Sequence, residues 1–458
     1  MRGVLRALFL ALSLAQPVAA QGDVNVSLDQ ARALAVQSLS AGNPKLAIRI
    51  AKGLLKADPK DRDAYMLLTA GYAQLGRPAA ARKAAARAYR FSDSKAAKLN
   101  AADIVARTAM AENKPTLTQL WLRRAALHAE NEDVKKLIAR DYARVRQINP
   151  FGFRIRTSVQ PSNNVNNGAD SALQVIDGNP DVVGILSPSA QALSGTVATF
   201  DTILSYRLGQ TDRSETRLGG RLYTRQVYLS SEAEEKAPEA ENSDFGSTYA
   251  ELSLKRAQAW GEDGRLGYGA AIGRSWYADE ESFDFARLTL DRGLPLNERN
   301  YLSFDSGIEH RWSAYHAVFD ETRLTLGTRL SHKLENGDRF GVSLALQHVD
   351  GDHVNTLSRS ATVRGTYSFA KQLGPAQVSA SLTLGISDFP DYTPGLGIEV
   401  PGGREDKSVY GDVSFFFSDY DYAGFAPTLR IRTGRRDSNV SRFDTNETSI
   451  SLEIQSAF

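Results

Sequence analysis

Two periodicities divide this chain. From Leu28 to about Arg146, apolar positions recur with helical spacing among alanine, leucine, lysine and arginine, as amphipathic helices require. After Pro150 the composition shifts to glycine, serine, threonine, aspartate and aromatics, and the period falls to two. Ala361, Val363, Tyr367 and Phe369 oppose Thr362, Arg364, Thr366 and Ser368; Leu324 and Leu326 oppose Arg323, Thr325 and Arg329; Leu429 and Ile431 oppose Arg430 and Arg432. The final segment, Thr448 to Phe458, alternates too, with Ile450, Leu452, Ile454 and Phe458 on one parity and Ser451, Glu453 and Gln455 on the other. A strand ending a sheet in this way suggests closure, which matters most in a bilayer, where open edges go unsatisfied.

The helical region reads as tetratricopeptide-like repeats. Gly42 and Gly76 are 34 residues apart, as are Ala47 and Ala81, and 34 residues is the period of that repeat. Ala47 and Ala81 fall where two helices cross closely, and Tyr65, Leu68 and Tyr72 supply the large counterparts on the preceding helix of the second unit. Leu54 and Ala88, related by the same offset, keep the position apolar but not its size. Asp58-Pro59 marks a helix stop, because proline disfavours helix in the residue before it. A third unit around Ala109 to Arg124 is degenerate, and Leu137 to Pro150 reads as a closing helix. Such an array presents a groove to another polypeptide or serves as a spacer or a plug support.

The period-two region divides into fourteen strands: Phe151–Gln160, Thr196–Tyr206, Ser214–Leu229, Phe245–Ala257, Arg265–Tyr277, Ser282–Arg292, Asn300–Ser313, Glu321–Lys333, Arg339–Val349, Arg359–Phe369, Gln377–Ile386, Ser408–Ser418, Phe425–Gly434 and Glu447–Phe458. Each reaches the roughly 9–11 residues a tilted membrane strand needs. A soluble sandwich explains any one strand equally well, so connector lengths discriminate. With the repeats on the inner side, 161–195, 230–244, 387–407 and 435–446 face outward and are long. The inner connectors, among them 258–264, 334–338 and 370–376, are short, as in outer-membrane barrels. Glu335-Asn336-Gly337-Asp338 is itself a hairpin signal. The expected fold is therefore α+β and multidomain: tetratricopeptide-like helical repeats, then a 14-stranded antiparallel transmembrane β-barrel.

The front end fits that location. Arg2 and Arg6 precede an apolar run, Ala7 to Ala15, and then Val18-Ala19-Ala20, the form of a secretory signal peptide cleaved after Ala20. The expected division is 1–20 signal peptide, 21–150 periplasmic helical domain and 151–458 barrel, in the outer membrane of a Gram-negative bacterium. Position 21 is glutamine and cysteine is absent, so neither a lipid-anchored cysteine, disulfides nor thiolate ligands are expected. A mean hydropathy of −0.33 suits a barrel whose strands hide only half their residues from water. Charge separates the two regions: 21–150 hold 23 Lys/Arg against 12 Asp/Glu, and 151–458 hold 30 against 41. A basic region thus adjoins an acidic one.

Candidate chemistry is sparse. The histidines form no H-E-x-x-H pair, and His348, Asp350, Asp352 and His353 read as a solvated loop more readily than a metal site. No G-x-S-x-G elbow occurs; no enzyme activity, cofactor or nucleic-acid partner is expected. Arg323, Arg329, Arg364, Arg430 and Arg432 take the lumen parity. They either line an anion path or guide a translocating chain, or pair with inward acids such as Glu251, Glu309 and Glu453. Glu232, Glu234, Glu235, Glu239 and Glu241 form an acidic outer loop.

The stretch Phe151-Gly-Phe-Arg-Ile-Arg-Thr-Ser-Val-Gln-Pro-Ser-Asn-Asn-Val-Asn-Asn167 resembles the start of the barrel in the surface lipoprotein assembly modifier family. Arg435-Arg436-Asp437-Ser438-Asn439-Val440 is similar to that family's final hairpin loop. The family's layout of signal peptide, periplasmic tetratricopeptide domain and fourteen-stranded barrel covers essentially the whole chain. The resemblance implies an outer-membrane translocon or assembly factor. Its client is a periplasmic or surface-exposed protein, lipid-modified or a related secreted binding protein, and outer-membrane lipids are its surroundings. Asn163, Asn164, Asn166 and Asn167 would then order the first outer loop through side-chain bonds to backbone. The competing function is a solute porin or exopolysaccharide-export channel.

Overall fold

The computed structural model describes residues 26–177, 179–261, 264–394, 398, 400–420, 422 and 425–456. The expected signal peptide and Phe458 lie outside them. Among the described residues seven helices precede the first barrel strand: α1 (Leu28–Ser40), α2 (Pro44–Ala57), α3 (Arg62–Gln74), α4 (Pro78–Arg90), α5 (Lys95–Ala111), α6 (Pro115–Ala126) and α7 (Glu132–Ile148).

The 34-residue period is a turn that ends one helix and starts the next. Gly42 and Gly76 both have positive φ, 72° and 65°. They sit just past α1 and α3, where the left-handed backbone that closes a helix end favours glycine and, next, asparagine. Two residues later Pro44 and Pro78 occupy the first turn of α2 and α4, where the missing N–H costs nothing. The third turn obeys the same logic with Asn113, φ 57°, before Pro115. Because α5 runs 17 residues against 13 for α3, the offset stretches, and the unit reads as degenerate by a fixed period.

Caps secure the starts. Ser27 and Gln30 form a capping box on α1, and the Asp61 carboxylate accepts from the Ala64 N–H at 2.9 Å. Ala47, Ala51, Ala81, Ala85 and Ala88 are fully buried, Leu54 nearly so, and Tyr65 and Leu68 are buried. Tyr72 is half-buried against the same cluster. A Cβ at Gly71 would stand 2.7 Å from Ile48 Cγ1, so α2 and α3 approach through a missing side chain. Compact packing divides the chain at Trp121/Leu122, inside α6 rather than at Pro150, so α7 groups with the barrel.

In that second unit α7 leads directly into the sheet. The Arg207 guanidinium donates to the carbonyls of Gln147 and Ile148, both at 2.8 Å, satisfying carbonyls at the helix end. Arg123 lies 4.7 Å over the Phe425 ring. Sixteen strands follow: β1 (Phe151–Ser162), β2 (Leu173–Ile176), β3 (Asn179–Ile185), β4 (Gly195–Gln210), β5 (Ser214–Leu229), β6 (Ser247–Trp260), β7 (Gly264–Tyr277), β8 (Glu280–Pro295), β9 (Asn300–Ser313), β10 (Glu321–Lys333), β11 (Arg339–Gly351), β12 (Ser358–Ser368), β13 (Gln377–Phe389), β14 (Arg404–Phe416), β15 (Phe425–Ser438) and β16 (Thr445–Ser456).

Fourteen of them close an antiparallel barrel in which β1 sits between β16 and β4. Strands β2 and β3 form a separate two-stranded sheet within the connector that the alternation left unassigned. Connectors at the end nearest α7, the proximal end, hold three to eight residues. At the distal end they reach 32 residues between β1 and β4, 17 between β5 and β6, and 14 between β13 and β14.

The exposed parity of the strands is aliphatic, with Leu204, Leu222, Leu252, Ile272, Leu288, Ile308, Leu324, Leu346 and Leu384 each more than two-fifths exposed. Phe153, Tyr206, Trp260, Tyr268 and Phe340 stand on that face toward the proximal ends, and Tyr228 and Trp312 toward the distal ends. A closed sheet with an aliphatic outside edged by aromatics is a transmembrane barrel, because no other surroundings accept that surface.

Candidate functional site

The junction of the first and last strands differs from every other junction in the barrel. Among the described residues β1 and β16 register at four positions: Thr157 with Ile454, Ser158 with Glu453, Val159 with Leu452, and Ser162 with Ser449. The other side of β1 pairs continuously with β4 from Phe151 to Ser162. The gap at Gln160 and Pro161 has a local cause, since proline offers no N–H to a ladder and weakens any strand edge it occupies. On the lumen face Arg156 reaches Glu453 across the junction at 3.0 Å.

The distal end of this junction is fastened by side chains instead. Asn163 donates from Nδ2 to the Asn446 carbonyl at 3.2 Å and accepts from the Thr448 N–H at Oδ1, 2.8 Å. Asp170 adds a second strap, accepting from the Asn446 N–H at 2.8 Å, while its own N–H donates to the Asp444 carbonyl. An asparagine amide mimics one peptide unit, so Asn163 substitutes for a ladder position.

The rest of the asparagine run folds the connector onto itself. The Asn164 side chain bonds both the N–H and the carbonyl of Gly168, at 2.8 and 2.9 Å. Asn166 donates to the carbonyls of Ser189 and Gln191 and accepts from the Leu193 N–H. Asn167 takes a left-handed backbone, φ 54°, which asparagine tolerates better than most residues. A Cβ at Gly168 would stand 2.3 Å from the Gln191 carbonyl, so the two arms touch there.

Between the asparagines Val165 is almost wholly buried, with Leu193, against Val197, Val227, Ala237 and Phe245. Val197 and Val227 are registered partners on the lumen parity of β4 and β5. The first distal connector therefore packs inward, and Arg225 ties it down by donating to the carbonyls of Val165 and Phe245. On the other side of the junction Ile176 is buried with Tyr392, Val400 and Val440. The Ser441 hydroxyl links to β2 at Val175 and Leu173. Arg404 underlies this cluster, ion-paired to Asp406 at 2.6 Å and stacked 3.4 Å from the Phe443 ring centre. One connector thus gathers the loops on both sides of the β1–β16 junction.

Burial pushes the Asp444 carboxyl above the ordinary carboxylate range, and nearby Asp437, Asp170 and Asp177 add to the rise against a hydrogen bond from the Ser438 N–H.

The lumen parity is a network of ion pairs. Arg287 bridges Glu251 and Glu309, Arg311 bridges Glu309 and Glu321, and Arg221 holds Asp201 at 2.8 Å. Arg323 pairs with Glu321 at 2.7 Å, and Arg364 and Arg430 share Asp412, each at 2.8 Å. Arg432 lies 4.4 Å over the Tyr410 ring, its buried Nε without a partner among the described residues. Arg329 forms no ion pair among them. The expected inward acids Glu251, Glu309 and Glu453 do pair with lumen arginines, while Arg323, Arg364 and Arg430 take Glu321 and Asp412 instead. Arg287 takes Glu309 straight across the register and Glu251 on a diagonal, Arg311 takes Glu309 along its own strand, and Arg156 takes Glu453 on a diagonal. The acidic connector forms a short helix, α8 (Ser231–Lys236), with Glu232, Glu234 and Glu235 exposed. Among the described residues no three acids or histidines converge to hold a metal ion.

Sequence reasoning missed Val165, Leu193, Arg225, Arg404 and the β2–β3 sheet. Asp177-Gly178 between the runs Leu173–Ile176 and Val182–Val183 was the available hairpin signal.

The class defined by this architecture is a helical-repeat domain joined to a closed fourteen-stranded transmembrane barrel. No family model matches the sequence, and no curated protein matches it. Among solved structures the helical region is similar to the Yersinia enterocolitica type III secretion translocator chaperone SycD, at 15% identity over 27% of this chain and 88% of that one, TM-score 0.25. The barrel is similar to Pseudomonas putida OprB, at 8% identity over 69% of this chain and 96% of that one, TM-score 0.39. It is similar also to a bacterial polysaccharide outer membrane secretin, at 10% identity over 67% and 98%, TM-score 0.35. At these scores none of the likenesses carries an argument for function.

Proposed function

We propose that the chain is an outer-membrane translocon or assembly factor that delivers a lipid-modified or related secreted binding protein to the cell surface. The proximal end with its helices faces the periplasm, and the distal loops face outside. The observation that carries this reading is the β1–β16 junction, interrupted by Pro161 and held by the Asn163 strap. A client with acyl chains needs a lateral route from an aqueous lumen into lipid. A junction with few ladder bonds opens at lower cost than a continuous one, since each backbone bond broken in a bilayer leaves groups no lipid satisfies. The resemblance of the asparagine motif to the start of the barrel in the surface lipoprotein assembly modifiers supports the same reading. No catalytic residue is needed, because moving a folded or unfolded chain makes and breaks no covalent bond.

The test is protease shaving of intact cells with the chain present and deleted. At least one lipid-modified or secreted protein loses protease accessibility on deletion while its total amount persists. An unchanged set of surface-exposed proteins contradicts the proposal.

A further inference from the structure

Charge in the helical unit is sorted by helix. Helix α2 carries Lys45, Arg49, Lys52 and Lys56 and no acid; helix α4 carries Arg82, Lys83, Arg87 and Arg90 and no acid. The alternate helices α1, α3 and α5 mix signs, with Asp29, Asp63 and Asp103 among their basic residues. The α2 residues fall at i, i+4, i+7 and i+11, a single stripe of a helix, and all four are exposed. Lys83, Arg87 and Arg90 repeat the stripe on α4 and are exposed as well. The opposite faces carry the buried Ala47, Ala51 and Leu54, and Ala81, Ala85 and Ala88. Arg82, off the stripe, pairs with Glu112, and Arg87 reaches the Tyr65 hydroxyl. Lys45, Arg49, Lys52, Lys56, Lys83 and Arg90 form no ion pair among the described residues.

We propose that this outward face of α2 and α4 docks on the anionic headgroups of a phospholipid leaflet. The inference rests on the barrel spanning a membrane, not on the identity of any client. Six cations on long stems without ion pairs among the described residues, spread over two helices, suit a planar array of negative charge. A bilayer is on hand because the transmembrane barrel belongs to the same chain. Attraction of this kind is additive in Lys and Arg and vanishes within a Debye length.

The test uses the full chain in nanodiscs, with a nitroxide on Gly53→Cys. The natural sequence has no cysteine, so the label is unique, and a Cβ at Gly53 meets nothing within 4 Å. Paramagnetic nickel held on chelating lipid headgroups reports proximity. In discs containing phosphatidylglycerol the label relaxes at least roughly threefold faster than in neutral phosphatidylcholine discs, and about 0.5 M salt abolishes the difference. Lys52→Gln with Lys56→Gln removes most of it, whereas Lys95→Gln with Lys98→Gln on α5 leaves it. Equal relaxation in both lipids overturns the proposal. So does a label that only added poly-glutamate protects, which assigns the face to an acidic polypeptide. Because nanodiscs have two equivalent leaflets, the result is independent of which side of the outer membrane the helices occupy, and of whether any client is delivered.

Discussion

The β4–β5 and β1–β16 junctions lie on either side of the same short stretch of wall, yet they are held by different means. Between β4 and β5 the register runs from Gly195 opposite Leu229 to Gln210 opposite Glu215, with one irregularity near Arg207, and the Arg221–Asp201 pair adds to it on the lumen face. Among the described residues the β1–β16 ladder is short, and closure there is shared with a lumen ion pair, an asparagine strap and loops that pack over the distal end. The comparison teaches that barrel closure and barrel strength are separable. A wall of continuous backbone bonds parts only by breaking its ladder, whereas the proposed lateral route needs only the side-chain bonds and few ladder bonds of the β1–β16 junction to part.

Changes on the two sides of that contrast have different consequences. The largest effect belongs to the continuous wall. Asp412→Ala leaves Arg364 and Arg430 facing each other without their shared carboxylate. It costs about 1–3 kcal/mol, less than a fully buried pair because both guanidiniums are a third exposed to the lumen. The heat-modifiability midpoint of the barrel on gels drops, with no selective change at the junction. Asn163→Ala removes two bonds across the junction, about 1–2 kcal/mol, and the effect is local. Amide exchange speeds up over 155–163 and 446–454, while the heat-modifiability midpoint stays within error of the parent. A fall in the midpoint equal to that of Asp412→Ala means the junction is an ordinary part of the wall.

The smallest effect is the pH dependence of the loops over that junction. The Asp444 carboxyl is raised in the folded loop, so its ionisation opposes that fold. The contribution is fully present below the ordinary carboxylate value of about 3.9 and is lost as pH rises through the raised value. Asp444→Asn keeps the Ser438 N–H acceptor and removes the charge, and exchange over 439–446 at neutral pH becomes slower than in the parent. Faster exchange contradicts the sign.

How much of this was legible in the sequence follows from distance along the chain. Gly42-x-Pro44 and Gly76-x-Pro78 are local signals, and their helices were readable; the Asn113-x-Pro115 turn obeys the same chemistry but hides behind a longer α5. Strand faces were readable for the same reason, since parity needs only neighbours. Partners were not. Arg364 reaches Asp412 across β13, a diagonal that parity does not encode. The Asn163 strap joins residues 283 to 285 positions apart, and nothing between them keeps a period. The asparagine run was visible as loop-ordering chemistry, while the valine buried inside it was not.

The most direct measurement locks the junction. Val159 and Leu452 are registered partners on the outward face, and Val159→Cys with Leu452→Cys introduces the only thiols of the chain. A matched pair on the continuous wall, Leu326→Cys with Leu346→Cys, is the control. Surface exposure of the proteins that depend on this chain is read by protease shaving under oxidising conditions and again after reduction. The account predicts that oxidation of the β1–β16 pair blocks their exposure and reduction restores it, with no effect of the β10–β11 pair. Full delivery through an oxidised β1–β16 junction contradicts a lateral route there.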